Sequence, residues 1–253
     1  MRINVLGVAI SVTNMSEAVT AIQGWIKRNE HHYVCVTGVH GVMECQRDPY
    51  LTSVHNESGL TVPDGMPLAW AGRIEGFKDM GRVYGPDLML EVCRVSVKER
   101  FSHFLYGGNA GVAKELRENL EKRFPGIRVV GTYTPPFRPL NSEEETDLAD
   151  RVARAKPDVF WVGLSTPKQE YFMAKYLSKL DTKVMVGVGA AFDIHTGHVR
   201  DAPEWIKKLG MQWAHRLIQE PRRLWKRYLY NNPRFVCLYL KQYLLKQRSN
   251  QNS

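Results

Sequence analysis

The sequence has no run of about 18 consecutive apolar residues, so no segment reads as a membrane-spanning helix. Its first residues, MRINVLGV, have neither an apolar stretch of signal-peptide length nor a small-residue cleavage site, and read instead as a first strand. Cysteine is scarce. The four residues Cys35, Cys45, Cys93 and Cys237 form no CxxC pair, and no histidine cluster accompanies them, which argues against a metal finger. Cys35 and Cys93 sit among apolar residues, as small core groups do, and this usage suits a reducing compartment. Internal repeats and low-complexity linkers are also missing. Acidic residues are depleted in one place only: residues 200–253 hold 3 Asp or Glu against 12 Lys or Arg, whereas residues 1–199 hold 23 of each.

What is present fits a globular chain. It has 253 residues, 43% of them hydrophobic and 24% charged, enough for one large domain or two small ones with a real core. The net charge of +9 belongs entirely to the last segment. We therefore divide the chain into an α/β body, residues 1–199, and a basic helical appendage, residues 200–253. A basic appendage on a neutral body implies an anionic partner for that appendage: nucleic acid, a membrane surface or a phosphorylated ligand.

Strand-like and helix-like segments alternate along the body. Val5–Val8, HYVCVT (32–37), Gly59–Val62, FSHFLY (101–106), Ile127–Val130, DVFWV (158–162) and KVMVGV (183–188) read as strands. Helices are predicted at Val39–Gln46, Met66–Ile74, Asp87–Val97, up to Arg123 and over Pro167–Leu180. Capping boxes at Asn14/Glu17 and Ser142/Glu145 mark two further helix starts. Continuous apolar strands in β–α repeats predict a Rossmann-like, mostly parallel sheet covered on both faces. Ligands of such sheets sit beyond the carboxyl ends of the strands, so the residues that follow the strands are the candidates.

Thr37 leads Gly38-Val39-His40 at one such end, where a hydroxyl and a flexible turn can meet a polar ligand; a plain strand-to-helix turn explains the same residues. Asp64 lies in TVPDGMP, with Gly65 allowing a tight turn, and reads as a general base or as a helix N-cap. Gly107-Gly108-Asn109 opens a GGNAG turn that can approach a diphosphate, or simply close a tight βα turn. The acidic residue of a dinucleotide fingerprint is missing about 20 positions on, which tells against NAD. Lys168 and Gln169 in STPKQE can reach a phosphate and a sugar, although helix capping accounts for most of that motif. Asp193, in GVGAAFDIHTG, can accept hydrogen bonds from a ribose or base, while His195 reads as a packed loop histidine. No His, Asp or Glu spacing makes a metal site.

In the appendage, basic and aromatic residues interleave from Trp205 to Tyr228, Pro233 breaks the pattern, and Phe235–Leu245 is apolar. This eleven-residue segment, apolar apart from Lys241 and Gln242 and flanked by Arg, Lys, Trp and Tyr, is too short to span a bilayer and suits the headgroup region of an anionic membrane. A solvated basic helix and a homo-oligomer interface are the alternatives.

TVPDGMP, RVYGPDL, YGGNAG, GLSTPKQE, GVGAAFDIHTG, RDAPEW and RLIQEPRRLWKRYL occur in one order, and as a set they resemble the WecG/TagA/CpsF glycosyltransferases over residues 3–235. The resemblance implies a bacterial enzyme of surface-polymer synthesis on the cytoplasmic face of the plasma membrane. It implies an inverting transfer, without a bound metal or other cofactor, of N-acetylmannosamine or a related sugar from a UDP-sugar to a polyprenyl-diphosphate-linked saccharide. Asp64 matches the family's base candidate, and Thr37 its polar strand end. Gly38 stands where many members have Asn, and Gln212-Trp213 where Glu-Trp is common. Gln169 matches the glutamine of the PKQE motif, Arg82 the arginine that opens RVYGPDL, and Arg216, Arg222 and Arg223 arginines of an appendage that closes over the site and binds the membrane. A nucleotide-dependent oxidoreductase or epimerase is the rival reading, and nucleic-acid binding through the tail ranks below it.

Overall fold

The computed structural model describes residues 1–251, with side chains to residue 248, so the last two residues of the basic appendage lie outside the described residues. The first apolar run makes two strands rather than one. Arg2–Val5 (β1) and Val8–Ser11 (β2) pair antiparallel in a sheet of their own. The segment expected as strand, Val5–Val8, instead holds the turn: Leu6 and Gly7 have φ of 52° and 85°, the double positive φ that a two-residue hairpin loop requires.

The main sheet is built by β–α repetition. After α1 (Met15–Arg28) come β3 (His32–Thr37), α2 (Val39–Cys45), α3 (Pro49–Glu57), β4 (Leu60–Pro63), α4 (Met66–Ile74) and α5 (Gly85–Glu99). Next are β5 (Ser102–Gly107), α6 (Val112–Arg123), β6 (Arg128–Tyr133), α7 (Ser142–Ala155), β7 (Val159–Gly163), α8 (Lys168–Tyr176), β8 (Val184–Gly187) and α9 (Ala191–His195). The six strands β3 to β8 pair in parallel, in the order β4-β3-β8-β7-β5-β6. This is the Rossmann-like α/β body expected from the sequence.

The strands are apolar throughout because both faces are covered, and alternate side chains serve opposite layers. In β3, Val34 and Val36 join one cluster, with Ile22 of α1, Leu88 of α5 and Leu116 of α6. Tyr33 and Cys35 join the other, with Leu148 of α7 and Phe172 and Met173 of α8. Local signals set the helix starts. The Asn14 side chain accepts the Glu17 N–H at 3.1 Å. At α7 the reciprocal box lies one residue earlier than the sequence suggests: Asn141 and Glu144 exchange bonds of 2.8 and 2.9 Å, and Ser142 is already helical. Helix α3 has no counterpart in the sequence reading, although Asp48 caps it and Pro49 fills its first position, a recognisable start.

The appendage consists of α10 (Glu204–Lys208), α11 (Gln212–Gln219) and α12 (Pro221–Gln251). Pro233 does not end the last helix, which runs through it. Proline forfeits one helical hydrogen bond, and packing on both sides of it holds the helix: Leu224, Asn231, Phe235 and Tyr239 are all buried. Phe235 and Tyr239 share a core with Ile3, Val5, Val42 and Met43, so half of the apolar segment expected at a membrane packs on the body instead.

Gly107 shows how tightly the strand ends are drawn together. Its φ is 135°, and a Cβ there would stand 2.5 Å from the Gly163 carbonyl oxygen. Gly107→Ala should cost about 1–3 kcal/mol for the backbone conformation alone, and more for the clash. Thermal unfolding should show Tm lower by several degrees. Gly111→Ala serves as control, because its φ is also positive but its Cβ would meet nothing within 4 Å.

Candidate active site

The loops that follow β3, β4, β5, β7 and β8 converge at the carboxyl ends of the strands, where α11 and α12 close over them. They enclose a cavity of about 1050 Å³, at the upper end of the usual range for ligand sites.

Asp64 hangs at the end of β4. Its N–H donates to the Thr37 carbonyl at 2.9 Å, continuing the β3–β4 ladder by one bond. The Asp64 carboxylate accepts the Gly85 N–H at 3.2 Å, and its own carbonyl accepts Arg82 Nε at 2.5 Å. Burial pushes the Asp64 pKa above its ordinary value; Arg82, the Gly85 N–H and Arg216 oppose the shift without cancelling it. A carboxylate held in this way is a better proton acceptor than an exposed one.

A polar chain runs outward from Arg82. Its guanidinium lies over the Tyr84 ring, 4.2 Å from the centroid, and donates to Gln212 Oε1. Gln212 in turn donates to Asp201 at 3.2 Å, and Asp201 also accepts the Tyr84 hydroxyl at 2.9 Å and pairs with Lys207 at 2.7 Å. Burial alone would raise the Asp201 carboxyl; Lys207 and Tyr84 outweigh it and hold the group below the usual carboxylate range. The departure at Gln212 thus has a structural role: a neutral amide joins a cation of the body to an anion of the appendage.

Arginines face Asp64 from the appendage. Arg216, Arg223 and Arg227 all line the cavity. Glu220 contacts two of them, Arg223 at 2.6 Å and Arg216 at 3.4 Å. Arg216 Nε is buried without a hydrogen-bond partner among the described residues. Burial lowers the pKa of Arg227, and the neighbouring Arg216 and Arg223 lower it further. Crowded guanidinium groups at a cavity wall, half-buried at Arg216 and Arg227 and exposed at Arg223, form a site for a multiply charged anion.

On the other wall, Gln169 is buried and ties α8 to the loop after β8: its Oε1 accepts the Gly189 N–H at 3.0 Å, and its Nε2 donates to the neighbouring Glu170 at 3.0 Å. Glu170 also accepts the Thr166 hydroxyl at 3.0 Å, while its second oxygen has no partner among the described residues. His195 is held by the Pro86 carbonyl at 3.0 Å, as a packed histidine would be.

Most residues singled out in the sequence meet in this cavity: Gly38, His40, Asp64, Gly65, Arg82, Gly108, Asn109, Lys168, Gln169, Asp193, Arg216 and Arg223 all line it. Three do not. Thr37, expected at the reacting centre, follows Tyr33 and Cys35 in the two-residue period of β3 and turns its buried side chain toward Gly41 of α2; it serves Asp64 through its carbonyl. Gly107 is taken up by the close approach of β5 to β7. Arg222 is exposed on another face of α12. Arg227, by contrast, lies one helical turn beyond Arg223, and that i, i+4 spacing was the signal for it. Tyr84, inside RVYGPDL, and Gln212, noted only as a departure, also line the cavity without having been assigned a role, and the 135–140 loop lines it without any local signal. Among the described residues, no group of three or more His, Cys, Asp or Glu side chains converges as a metal site.

The family described as "Glycosyl transferase WecG/TagA/CpsF family" matches residues 3–250. A protein of Bacillus subtilis (strain 168), named N-acetylglucosaminyldiphosphoundecaprenol N-acetyl-beta-D-mannosaminyltransferase, is 32% identical over 189 residues, 75% of this chain and 71% of that protein. A protein of the same name from Bacillus spizizenii is 27% identical over 217 residues, 86% of this chain and 82% of its own.

The raised Asp64 pKa carries a stability consequence of definite sign. Its protonated form is favoured by the fold, so the contribution is complete below the unfolded value and is lost as pH rises through the folded value. Asp64→Asn, which mimics the protonated carboxyl, should therefore raise Tm at neutral pH, and the gain should vanish in acid. Thermal melts across pH check this; a lower Tm at neutral pH would show that the arginines need the charge more than the fold resents it.

Proposed function

Because the chain belongs to the WecG/TagA/CpsF family of glycosyltransferases, we propose that its cavity transfers a sugar, N-acetylmannosamine or a close relative, from a UDP-sugar to a saccharide on a polyprenyl diphosphate. The observation that carries this reading is the meeting, in one cavity, of a half-buried carboxylate with a raised pKa and the guanidinium groups of the appendage. The relatives' names supply the sugar and the acceptor class.

The steps follow from the residues. Asp64 takes the proton of the acceptor hydroxyl as its oxygen bonds to the anomeric carbon. The bond from that carbon to the diphosphate oxygen breaks, and UDP leaves with the electron pair. The face of attack is opposite the leaving group, so the configuration inverts. Arg216, Arg223 and Arg227 neutralise the charge that develops on the diphosphate, a role for which bidentate guanidinium groups are suited and which needs no metal. Arg82 orients Asp64 through the carbonyl bond and contributes to the field at its carboxylate.

The acceptor's lipid stays in a membrane, so the enzyme must reach the inner face of that membrane. No helix among the described residues is long and apolar enough to cross one. Helix α12 instead exposes Trp225, Leu229, Val236, Leu240 and Leu244, spaced by four or seven residues along one side. The basic Arg222 and Lys226 belong to the same side by helical period. This exposed stripe is the membrane-facing surface, and attraction to anionic lipid adds roughly 1 kcal/mol per basic residue near it.

Two outcomes test the reading. With UDP-N-acetylmannosamine and a lipid-diphosphate saccharide, UDP release should fall about 100-fold or more in Asp64→Asn, and by a similar factor in Arg223→Ala with Arg227→Ala. Both variants should be folded, and chelators should leave the wild-type rate unchanged; near-normal turnover in Asp64→Asn would remove the proposed base. Leu240→Asp with Leu244→Asp should release the protein from anionic vesicles while sparing transfer to a short-chain acceptor. Undiminished sedimentation with vesicles would place the docking surface elsewhere.

A further inference from the structure

Helix α11 has little apolar grip on the rest of the protein. None of its eight residues is buried. Yet it carries Arg216, which lines the cavity and acts on the Asp64 carboxyl. Polar bonds at its two ends hold it instead. At the far end, Gln219 accepts the Arg200 N–H at 3.1 Å and donates to the Arg200 carbonyl at 2.9 Å, a clip within the appendage. At the near end stands Gln212. Among the described residues it is the one side chain of α11 that hydrogen-bonds residues 1–199, and its partner there is Arg82.

The chemistry of that joint singles out an amide. Arg82 has only donors to offer. Asp201, which Lys207 and the Tyr84 hydroxyl hold below the usual carboxylate range, has only acceptors. A side chain between them must accept on one side and donate on the other. It must also carry no charge, because a cation would meet Arg82 and an anion would meet Asp201. Gln212 gives its Oε1 to Arg82 and its Nε2 to Asp201, the latter at 3.2 Å. The reverse orientation would set N–H against N–H and oxygen against oxygen, so the two neighbours fix which way the amide points.

Arg82 is in turn the group that joins Gln212 to Asp64. Its Nε donates to the Asp64 carbonyl at 2.5 Å, its guanidinium lies 4.2 Å from the Tyr84 ring centroid, and its far end reaches Gln212. A long, half-buried side chain has several rotamers open to it, and each of these contacts removes some. The charged and titratable groups around the Asp64 carboxylate are Arg82 and Tyr84 before α5, Asp201 before α10, Arg216 on α11 and Tyr228 on α12. Gln212 bonds two of them, of opposite sign. Arg82 lowers the Asp64 pKa and Asp201 raises it, so an Arg82 that swings free leaves the balance tipped upward.

We propose that Gln212 is a positioning residue for the base: by holding Arg82 between Asp64 and the appendage, its amide sets the field in which Asp64 takes up its proton. This rests on the reading of Asp64 as the base of the transfer. Gln212 itself moves no proton and acts only through Arg82.

The test is a double-mutant cycle on the full chain: wild type, Gln212→Leu, Arg82→Met and the pair. Each is assayed across pH for UDP release from UDP-N-acetylmannosamine with a lipid-diphosphate saccharide, and each is melted thermally. Gln212→Leu keeps the bulk and loses both bonds. It should lower kcat roughly 10- to 100-fold, and the pair should be no slower than Arg82→Met alone, because the effect passes through Arg82. The acid limb of kcat should move to higher pH, by about 1 unit in Arg82→Met and by less in Gln212→Leu. Losses that multiply in the pair, or an unmoved acid limb in Gln212→Leu, would overturn the positioning role and leave Gln212 as a seat for α11 alone. The melts read the same coupling without turnover. The Tm gain of Asp64→Asn at neutral pH should be larger in both single-variant backgrounds than in the wild type; an equal gain would overturn the role as well. A folded wild type that releases no UDP would remove the donor reading, and the melts would still decide the coupling of Gln212 to Asp64.

Discussion

One carboxylate must be partly withdrawn from water and yet remain within reach of several positive charges; the rest of the site is organised around that requirement. Burial raises the Asp64 pKa, whereas Arg82, the Gly85 N–H and Arg216 lower it. The structure sets the two against each other, and burial prevails. The balance is held by backbone as much as by side chains. Asp64 is suspended from Thr37 by a ladder bond and from Gly85 by an N–H, so its position follows from the register of β3 with β4.

The body by itself does not complete this arrangement. The positive charges opposite Asp64 come from α11 and α12, and the chain from Arg82 through Gln212 to Asp201 spans body and appendage. The same α12 buries Phe235 and Tyr239 in a core with the β1–β2 hairpin. The short hairpin, detached from the main sheet, is therefore the surface against which the appendage is seated. Gln242 reinforces the seat by accepting the Leu6 N–H at 2.8 Å and donating to the Asn4 carbonyl at 2.7 Å.

Much of this was readable in the sequence, for physical reasons that differ by element. The six parallel strands were legible because strands buried on both faces are apolar without interruption, as in HYVCVT and DVFWV. The hairpin was not, because its turn residues Leu6 and Gly7 sit inside an apolar run and do not look like punctuation. Asp64, Gln169, Arg216 and Arg223 were found through motifs that follow strands or mark the appendage. Thr37 and Arg222 were marked by the same motifs, yet strand alternation and helical phase turn their side chains away from the cavity. Phase would have exchanged Arg222 for Arg227. The bonds of Gln212 to Arg82 and Asp201 join positions far apart in the chain, and only the closure of the appendage brings them together.

Helix α12 carries the cavity-facing Arg223 and Arg227 near its start and the exposed stripe Val236, Leu240 and Leu244 farther along. Between them lies buried Asn231, pinned to the body by Arg47 at 3.0 Å and by the His40 ring at 3.2 Å. Burial, with Arg227 and Arg47 nearby, lowers the His40 pKa to about 3, so its ring stays neutral and able to accept the Asn231 amide. A helix seated at Leu224, Asn231, Phe235 and Tyr239 cannot tilt about one of them alone, so the contacts that orient the exposed stripe also fix where Arg223 and Arg227 stand over the cavity.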